Sequence, residues 1–264
     1  MSAPSVLVLR AAGINCDEET VHAWRLAGAN ASLIHVNDLA ESPDQLKKYS
    51  LLTIPGGFSY GDDIGAGVIL AQRLGERLAD AIREFVELGG GVLGICNGFQ
   101  VLVKMGLLPG GAFRREDVTV TYNDSARFEA RWVRLETCTQ KCPYLGASDS
   151  AGGRPVFELP VEHAEGRVVT TDEAVAQRLF DAGHVALRYV DVEGRSDRYP
   201  ANPNGSTRGI AGLCDPTGRV FGLMPHPDRF FDAVQHPFWT SRPRTNIPDG
   251  LRIFQNAVRF WTAR

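Results

Sequence analysis

Gly94-Ile-Cys-Asn-Gly-Phe-Gln100 sets a thiol between two glycines, where a short apolar run (Val92 to Ile95) meets a second apolar stretch containing Phe99, Val101, Leu102, Val103 and Met105. The first run, bounded by glycines, suits a strand covered on both faces, and the second suits a packed helix. A strand that turns sharply into a helix presents one side chain at its corner, here Cys96. Gly94 and Gly98 let strand, turn and helix approach without a Cβ between them. The unpaired N–H groups of a helix start lower a thiol's pKa and stabilise an anion beside it. Free cysteine is ordinarily a buried packing residue. Turn glycines on both sides favour a nucleophile instead.

A cysteine nucleophile needs a base, and the base needs an orienting group. Of the six histidines, His22 and His35 lie in elements with a structural pattern, His184 opens a strand, and His236 lies in a proline-rich loop. His163, in Pro160-Val-Glu-His-Ala-Glu-Gly-Arg167, reads as a solvated turn histidine flanked by glutamates. His226 differs because it follows an apolar strand, sits between Pro225 and Pro227, and has a carboxylate two residues on. His226 is therefore the candidate base and Asp228 its orienter. Leu51 to Ile54 runs into Pro55-Gly-Gly-Phe58. A strand ending in two glycines can turn backbone N–H groups towards a developing oxyanion.

The elements that must position these groups alternate. Strands are expected at Ser5 to Leu9, Ser32 to Val36 and Leu51 to Ile54, with helices over roughly Glu18 to Ala29 and Val68 to Glu87. That order predicts an α/β fold: a doubly wound, mostly parallel central sheet flanked by helices, with functional residues at the carboxyl ends of its strands. After Gly111 the pattern alternates as in antiparallel strands, at Asp117 to Tyr122 and Arg127 to Leu135, so additional antiparallel strands are expected in the second half. Further strands are expected at Val168 to Thr170, His184 to Val190, Gly209 to Cys214 and Val220 to Met224, and helices near Asp172 to Phe180 and Asp249 to Trp261. Cys16, in Gly13-Ile-Asn-Cys-Asp17, reads as part of a turn and helix cap. Cys138 and Cys142 lack the matching pair that a structural zinc site needs, and no metal is expected.

The 264 residues contain no Pro/Ser/Gly linker and no internal repeat, so residues 1–264 are expected to form one domain. A net charge of −3, from 28 basic and 31 acidic residues, offers no bulk attraction to nucleic acid or an anionic membrane. No apolar stretch is long enough to span a membrane and no signal-like start is present, so a cytosolic protein is expected. Five scattered cysteines fit reduced thiols in that compartment.

Pro55-Gly-Gly-Phe-Ser-Tyr-Gly-Asp-Asp63, Gly94 to Gln100, Arg127-Phe-Glu-Ala-Arg-Trp132, His163-Ala-Glu-Gly166, Tyr199-Pro-Ala-Asn-Pro-Asn-Gly-Ser206 and Gly222-Leu-Met-Pro-His-Pro227 together resemble the glutaminase subunits of phosphoribosylformylglycinamidine synthase. These are class I, triad-type glutamine amidotransferases of purine biosynthesis, and the resemblance spans nearly the whole chain. It implies that Cys96 attacks the glutamine side-chain amide to give a γ-glutamyl thioester and ammonia, with His226 moving protons and Asp228 orienting it. It further implies an oxyanion site at Gly57, Phe58 and Asn97, and substrate contacts among Gln100, His163, Asn204, Gly205 and Ser206. No cofactor is implied on this chain. ATP and magnesium belong to a synthetase partner, with or without a small accessory subunit, which takes the ammonia and makes formylglycinamidine ribonucleotide. Two departures stand out: the third triad position is usually glutamate, and the Cys138 to Pro155 and Phe230 to Pro248 segments resemble the glutaminase end of the large single-chain enzymes. A stand-alone cysteine hydrolase acting on another γ-glutamyl or amide bond, and a non-catalytic binding subunit, are the competing expectations.

Overall fold

The computed structural model describes residues 2–146, 155–243 and 247–264. Parts of both long segments, 147–154 and 244–246, lie outside the described residues. In chain order the elements are β1 (Ser5–Arg10), α1 (Asp17–Leu26), β2 (Asn30–His35), α2 (Val36–Glu41), β3 (Leu51–Ile54), α3 (Val68–Arg77), α4 (Ala79–Glu87), β4 (Gly91–Ile95), α5 (Asn97–Lys104) and β5 (Val118–Thr121). They continue with β6 (Glu129–Thr137), β7 (Val156–His163), β8 (Arg167–Thr170), α6 (Glu173–Asp181), β9 (Val185–Val190), β10 (Ile210–Cys214), β11 (Val220–Leu223) and α7 (Asp249–Thr262).

Nine strands form one sheet among the described residues, in the order β2-β1-β3-β4-β11-β10-β9-β6-β7. The steps from β2 to β11 are parallel and those from β11 to β7 antiparallel. The fold is thus the expected mixed α/β sheet. Its parallel half is buried on both faces, which is why β3 and β4 contain no exposed position. Helix α7 closes one face by packing Phe254 edge-on against Trp24 of α1, with ring centroids 4.8 Å apart. The Trp24 indole nitrogen donates to Thr53 Oγ1 at 2.9 Å, so this large core residue leaves no unpaired donor.

Two expectations need correction, and the antiparallel strands pair in a way the sequence left open. The stretch from Val68 to Glu87 is two helices, because buried Leu78 leaves helical geometry at φ −129° just after the helix-weakening Gly75. Strand β5 pairs with β8 in a separate two-stranded ribbon, while β6 extends the main sheet. His163 is not in a solvated turn but ends the eight-residue strand β7 and is buried. Pro160 hid that strand in the sequence, yet β7 lies at the sheet edge, where a missing N–H is tolerated.

Candidate active site

The sheet order decides which loops meet. β3, β4 and β11 are adjacent and parallel, with Ile54 opposite Gly94 and Leu223 opposite Ile95. Neighbouring strands lie about 4.8 Å apart, so the three carboxyl ends fall within about 10 Å. One end carries Gly56-Gly57, the next Cys96, and the third His226.

Cys96 takes φ +50° and ψ −105°, a conformation that costs on the order of 1–3 kcal/mol and persists only where its surroundings enforce it. The enforcement is visible on both sides. Its N–H donates to Leu223 O at 2.8 Å, and its carbonyl accepts from Gln100 N at 3.1 Å as α5 begins. A Cβ on Gly98 would lie 1.9 Å from the Ile54 carbonyl oxygen, and one on Gly94 would lie 2.7 Å from Gly98 O. The two glycines are therefore the condition for strand, corner and helix to close.

The His226 backbone N–H donates to Pro160 O at 2.8 Å, tying the loop to β7. Its ring passes over Gly56, where an added Cβ would meet Cε1 at 2.7 Å. Nδ1 lies 3.3 Å from Asp228 Oδ1, a close contact but not an aligned hydrogen bond; both ring nitrogens and both Asp228 oxygens have no hydrogen-bond partner among the described residues. That is the geometry expected of a carboxylate one methylene shorter than the usual glutamate. Burial opposes charge on His226, but attraction to Cys96 and Asp228 outweighs it and holds the imidazole well above its ordinary range.

The sequence missed one member of this corner. Cys16, at the start of α1, is buried, and its sulfur lies with a His226 ring nitrogen and an Asp228 oxygen in a cluster whose ligand-type atoms are all within 4.8 Å of one another. Arg229 donates to the same sulfur at 3.2 Å. Burial raises the Cys16 pKa, while His226 works against that rise. Cys16 is a turn residue, as expected, but the turn follows β1, another parallel strand of the same half-sheet; that position was the available signal.

The oxyanion candidates divide. Phe58 N–H already donates to Gly13 O at 2.8 Å, so this expectation is corrected. Gly57 bridges Ile14 with φ +135°, and a Cβ there would lie 2.7 Å from Asn15 N. Asn97 N–H opens α5, and the first amide of a helix has no carbonyl a turn earlier to bond. Gly57 and Asn97 remain the amide candidates. The Asn97 side chain is engaged elsewhere, accepting from Ser59 N and donating to Asp62 Oδ1 and Gln100 Oε1.

The proposed substrate contacts form a brace. Gln100 is buried, and its amide donates to the Glu165 carbonyl. His163 Nδ1 lies 3.1 Å from Asn123 Oδ1, and the same oxygen accepts from Gly166 N. Burial, with some repulsion from His226, lowers the His163 pKa to about 3, so the ring is neutral and its Nε2 is a buried acceptor with no partner among the described residues. Asn204 donates to Gly166 O, Ser206 Oγ accepts from Val168 N, and Gly205 O accepts from Arg167 Nε. These three residues brace the Gly166–Val168 segment, where the turn after His163 enters β8. A further group was not foreseen: the fully buried Tyr189 hydroxyl lies beside Asn204 in no aligned hydrogen bond, and within electrostatic reach of Cys96.

The CobB/CobQ-like glutamine amidotransferase family model matches residues 3–261. The PurQ subunit of phosphoribosylformylglycinamidine synthase from Dehalococcoides mccartyi is 41% identical over 262 residues, covering 98% of both chains. This chain belongs to the PurQ family of glutamine amidotransferases. The PurQ subunit from Archaeoglobus fulgidus is 40% identical over 97% of this chain and 96% of its own. These PurQ relatives match end to end, so the length of the present chain is shared by separate subunits. Among solved structures, a chain of PurLQS from Thermotoga maritima superposes with a TM-score of 0.73 at 30% identity, covering 98% and 99% of the two chains. A glutamine amidotransferase from Methylobacillus flagellatus, with TM-score 0.53 at 15% identity over 100% and 95%, shares the fold. Within the PurQ fold, Cys138 and Cys142 are not part of any metal-type cluster among the described residues. Burial pushes the Cys142 thiol well above its ordinary range and that of Cys214 up to about 12, as for inert packing thiols.

Proposed function

We propose that this chain hydrolyses glutamine through Cys96 and passes the ammonia to a synthetase that makes formylglycinamidine ribonucleotide. Cys96 Sγ attacks the side-chain carbonyl carbon, and the oxyanion forms against the Gly57 and Asn97 amides. The charged His226 gives its proton to the leaving nitrogen, ammonia departs, and a γ-glutamyl thioester remains. The neutral ring then takes a proton from water, which attacks the thioester and releases glutamate. Asp228 compensates the charge on His226. The observation that carries this function is the convergence of Cys96, the Gly56-Gly57 turn and His226 on three adjacent strand ends.

Ammonia released to water would be protonated and lose its nucleophilicity, so the product must travel inside a complex. ATP and magnesium would be bound by the synthetase; likeness to a chain of PurLQS supports a complex with a synthetase partner, to which this reading adds a small accessory subunit. No described helix is long and apolar enough to cross a membrane, in keeping with work in the cytosol. The test is Cys96→Ala in the assembled complex. Glutamine-dependent synthesis should be abolished while ammonia-dependent synthesis persists; loss of both would overturn the assignment.

A further inference from the structure

The base side of the site contains more donor chemistry than proton transfer uses. Cys16 Sγ, a ring nitrogen of His226 and a carboxylate oxygen of Asp228 come from two loops and lie within 4.8 Å of one another, all on buried residues. Thiolate, imidazole and carboxylate are the ligand set of a borderline-soft divalent ion, and three such ligands with one open position describe a non-structural zinc site. A second, independent observation points the same way. Asp228 is fully buried and His226 nearly so, yet neither carboxylate oxygen nor either ring nitrogen has a hydrogen-bond partner among the described residues. A buried carboxylate without donors is costly unless a cation compensates it. The protonated His226 does so in the working enzyme, and a metal ion would do so when the ring is neutral.

We propose that Cys16, His226 and Asp228 form an inhibitory site for a zinc-class divalent ion. The Cys16 proton leaves to solvent as the metal–sulfur bond forms, and His226 binds as the neutral ring through Nδ1, the nitrogen that faces Asp228. The proton of the ring then sits on Nε2, so His226 can no longer accept one. The base is disabled while Cys96 remains outside the coordination sphere. Arg229, which now donates to Cys16 Sγ, retains its carboxylate partners Glu162 and Glu19 when the metal takes the sulfur.

Titration of the full chain with Co²⁺, under reducing and oxygen-free conditions, separates this site from the nucleophile. A thiolate-to-cobalt charge-transfer band should appear in the unaltered chain and persist in Cys96→Ala. It should vanish in Cys16→Ala, and in Cys16→Ser should alanine at this buried position impair folding, as judged by circular dichroism. Asp228→Asn should weaken Co²⁺ binding at least tenfold. In glutaminase assays, Zn²⁺ should inhibit reversibly on chelation, and Cys16→Ser should need at least ten times more. A band that survives loss of Cys16, that disappears with Cys96, or that never forms at millimolar Co²⁺ overturns the proposal. The cobalt outcomes are read without glutamine turnover, so their failure is distinct from failure of the glutaminase assignment.

Discussion

The two sides of the catalytic corner are built by opposite means. On the nucleophile side, Cys96 is placed by backbone: a strained residue clamped by two main-chain hydrogen bonds, with Gly98 so close to Ile54 that no Cβ fits. On the base side, main-chain bonds from His226 N to Pro160 O and from Arg229 N to His226 O hold the loop, but the ring itself sits among buried polar groups that face one another without aligned hydrogen bonds. In the proposed reaction the attacking atom has to be fixed to a fraction of an ångström, whereas the base must exchange protons with the leaving nitrogen and then with water. A packed backbone gives the first property, and a compensated but loosely bonded ring gives the second.

Glycine substitutions on the two sides break this comparison most directly. A Cβ on Gly98 meets backbone at 1.9 Å, while one on Gly56 meets the His226 ring edge at 2.7 Å. Gly98→Ala must separate α5 from β3, at a cost of about 3 kcal/mol or more, and should lower the midpoint of denaturant unfolding together with activity. Gly56→Ala should instead leave most of the fold intact and lower kcat, because a side chain can move where a carbonyl cannot. Equal destabilisation by the two would mean that the base side is as rigid as the nucleophile side.

Asp228 tests the looseness itself. Asp228→Asn removes the compensating charge and should lower kcat by about 10²-fold with little change in KM. Asp228→Glu restores the missing methylene, and activity at or above the unaltered level is the expected result. A loss as large as that of asparagine would show that the short carboxylate is matched to its neighbours, Cys16 among them.

The unequal legibility of the two sides follows from the same physics. Glycine positions, apolar runs and prolines are local, so the corner at Cys96, the glycines after β3 and the loop at His226 were visible in the chain itself. Sheet order brought them together, and the alternation of strands and helices implied it. Side-chain pairing is not local. Nothing in Gly13 to Asp17 states that Cys16 will face His226, nor does a tyrosine in an apolar strand announce that its hydroxyl lies near Cys96. Asn204, Gly205 and Ser206 were recognised as a family segment, but their part in bracing the Gly166–Val168 segment required the hydrogen bonds. Phe58 looked available for the oxyanion because the sequence does not show that Gly13 takes its N–H.

His163 extends the comparison to pH. Its folded pKa is lowered to about 3 against 6.5 for the unfolded chain, so between those values the unfolded state binds a proton that the native state refuses. Stability is therefore lost as pH falls through that window, by up to about 1.4 kcal/mol per pH unit, and the group contributes nothing above it. His163→Gln keeps a polar amide against Asn123 and cannot titrate. Denaturant midpoints at pH 7 and pH 4.5 should draw closer together in the variant. An unchanged gap would mean that His163 is charged in the fold.

Tyr189 gives the smallest and sharpest contrast. Its hydroxyl is buried beside Asn204 and within electrostatic reach of Cys96, with no aligned partner among the described residues, so Tyr189→Phe removes no hydrogen bond that they make. Stability should be unchanged or slightly raised, since an unpaired buried hydroxyl is itself unfavourable. A group left unpaired in the free site but used by the substrate should show instead in binding, as a few-fold increase in KM for glutamine at constant kcat. Should stability fall while KM stays fixed, the hydroxyl serves the core, and the partnerless polar groups of this site reduce, among the described residues, to His163 Nε2 and those around His226.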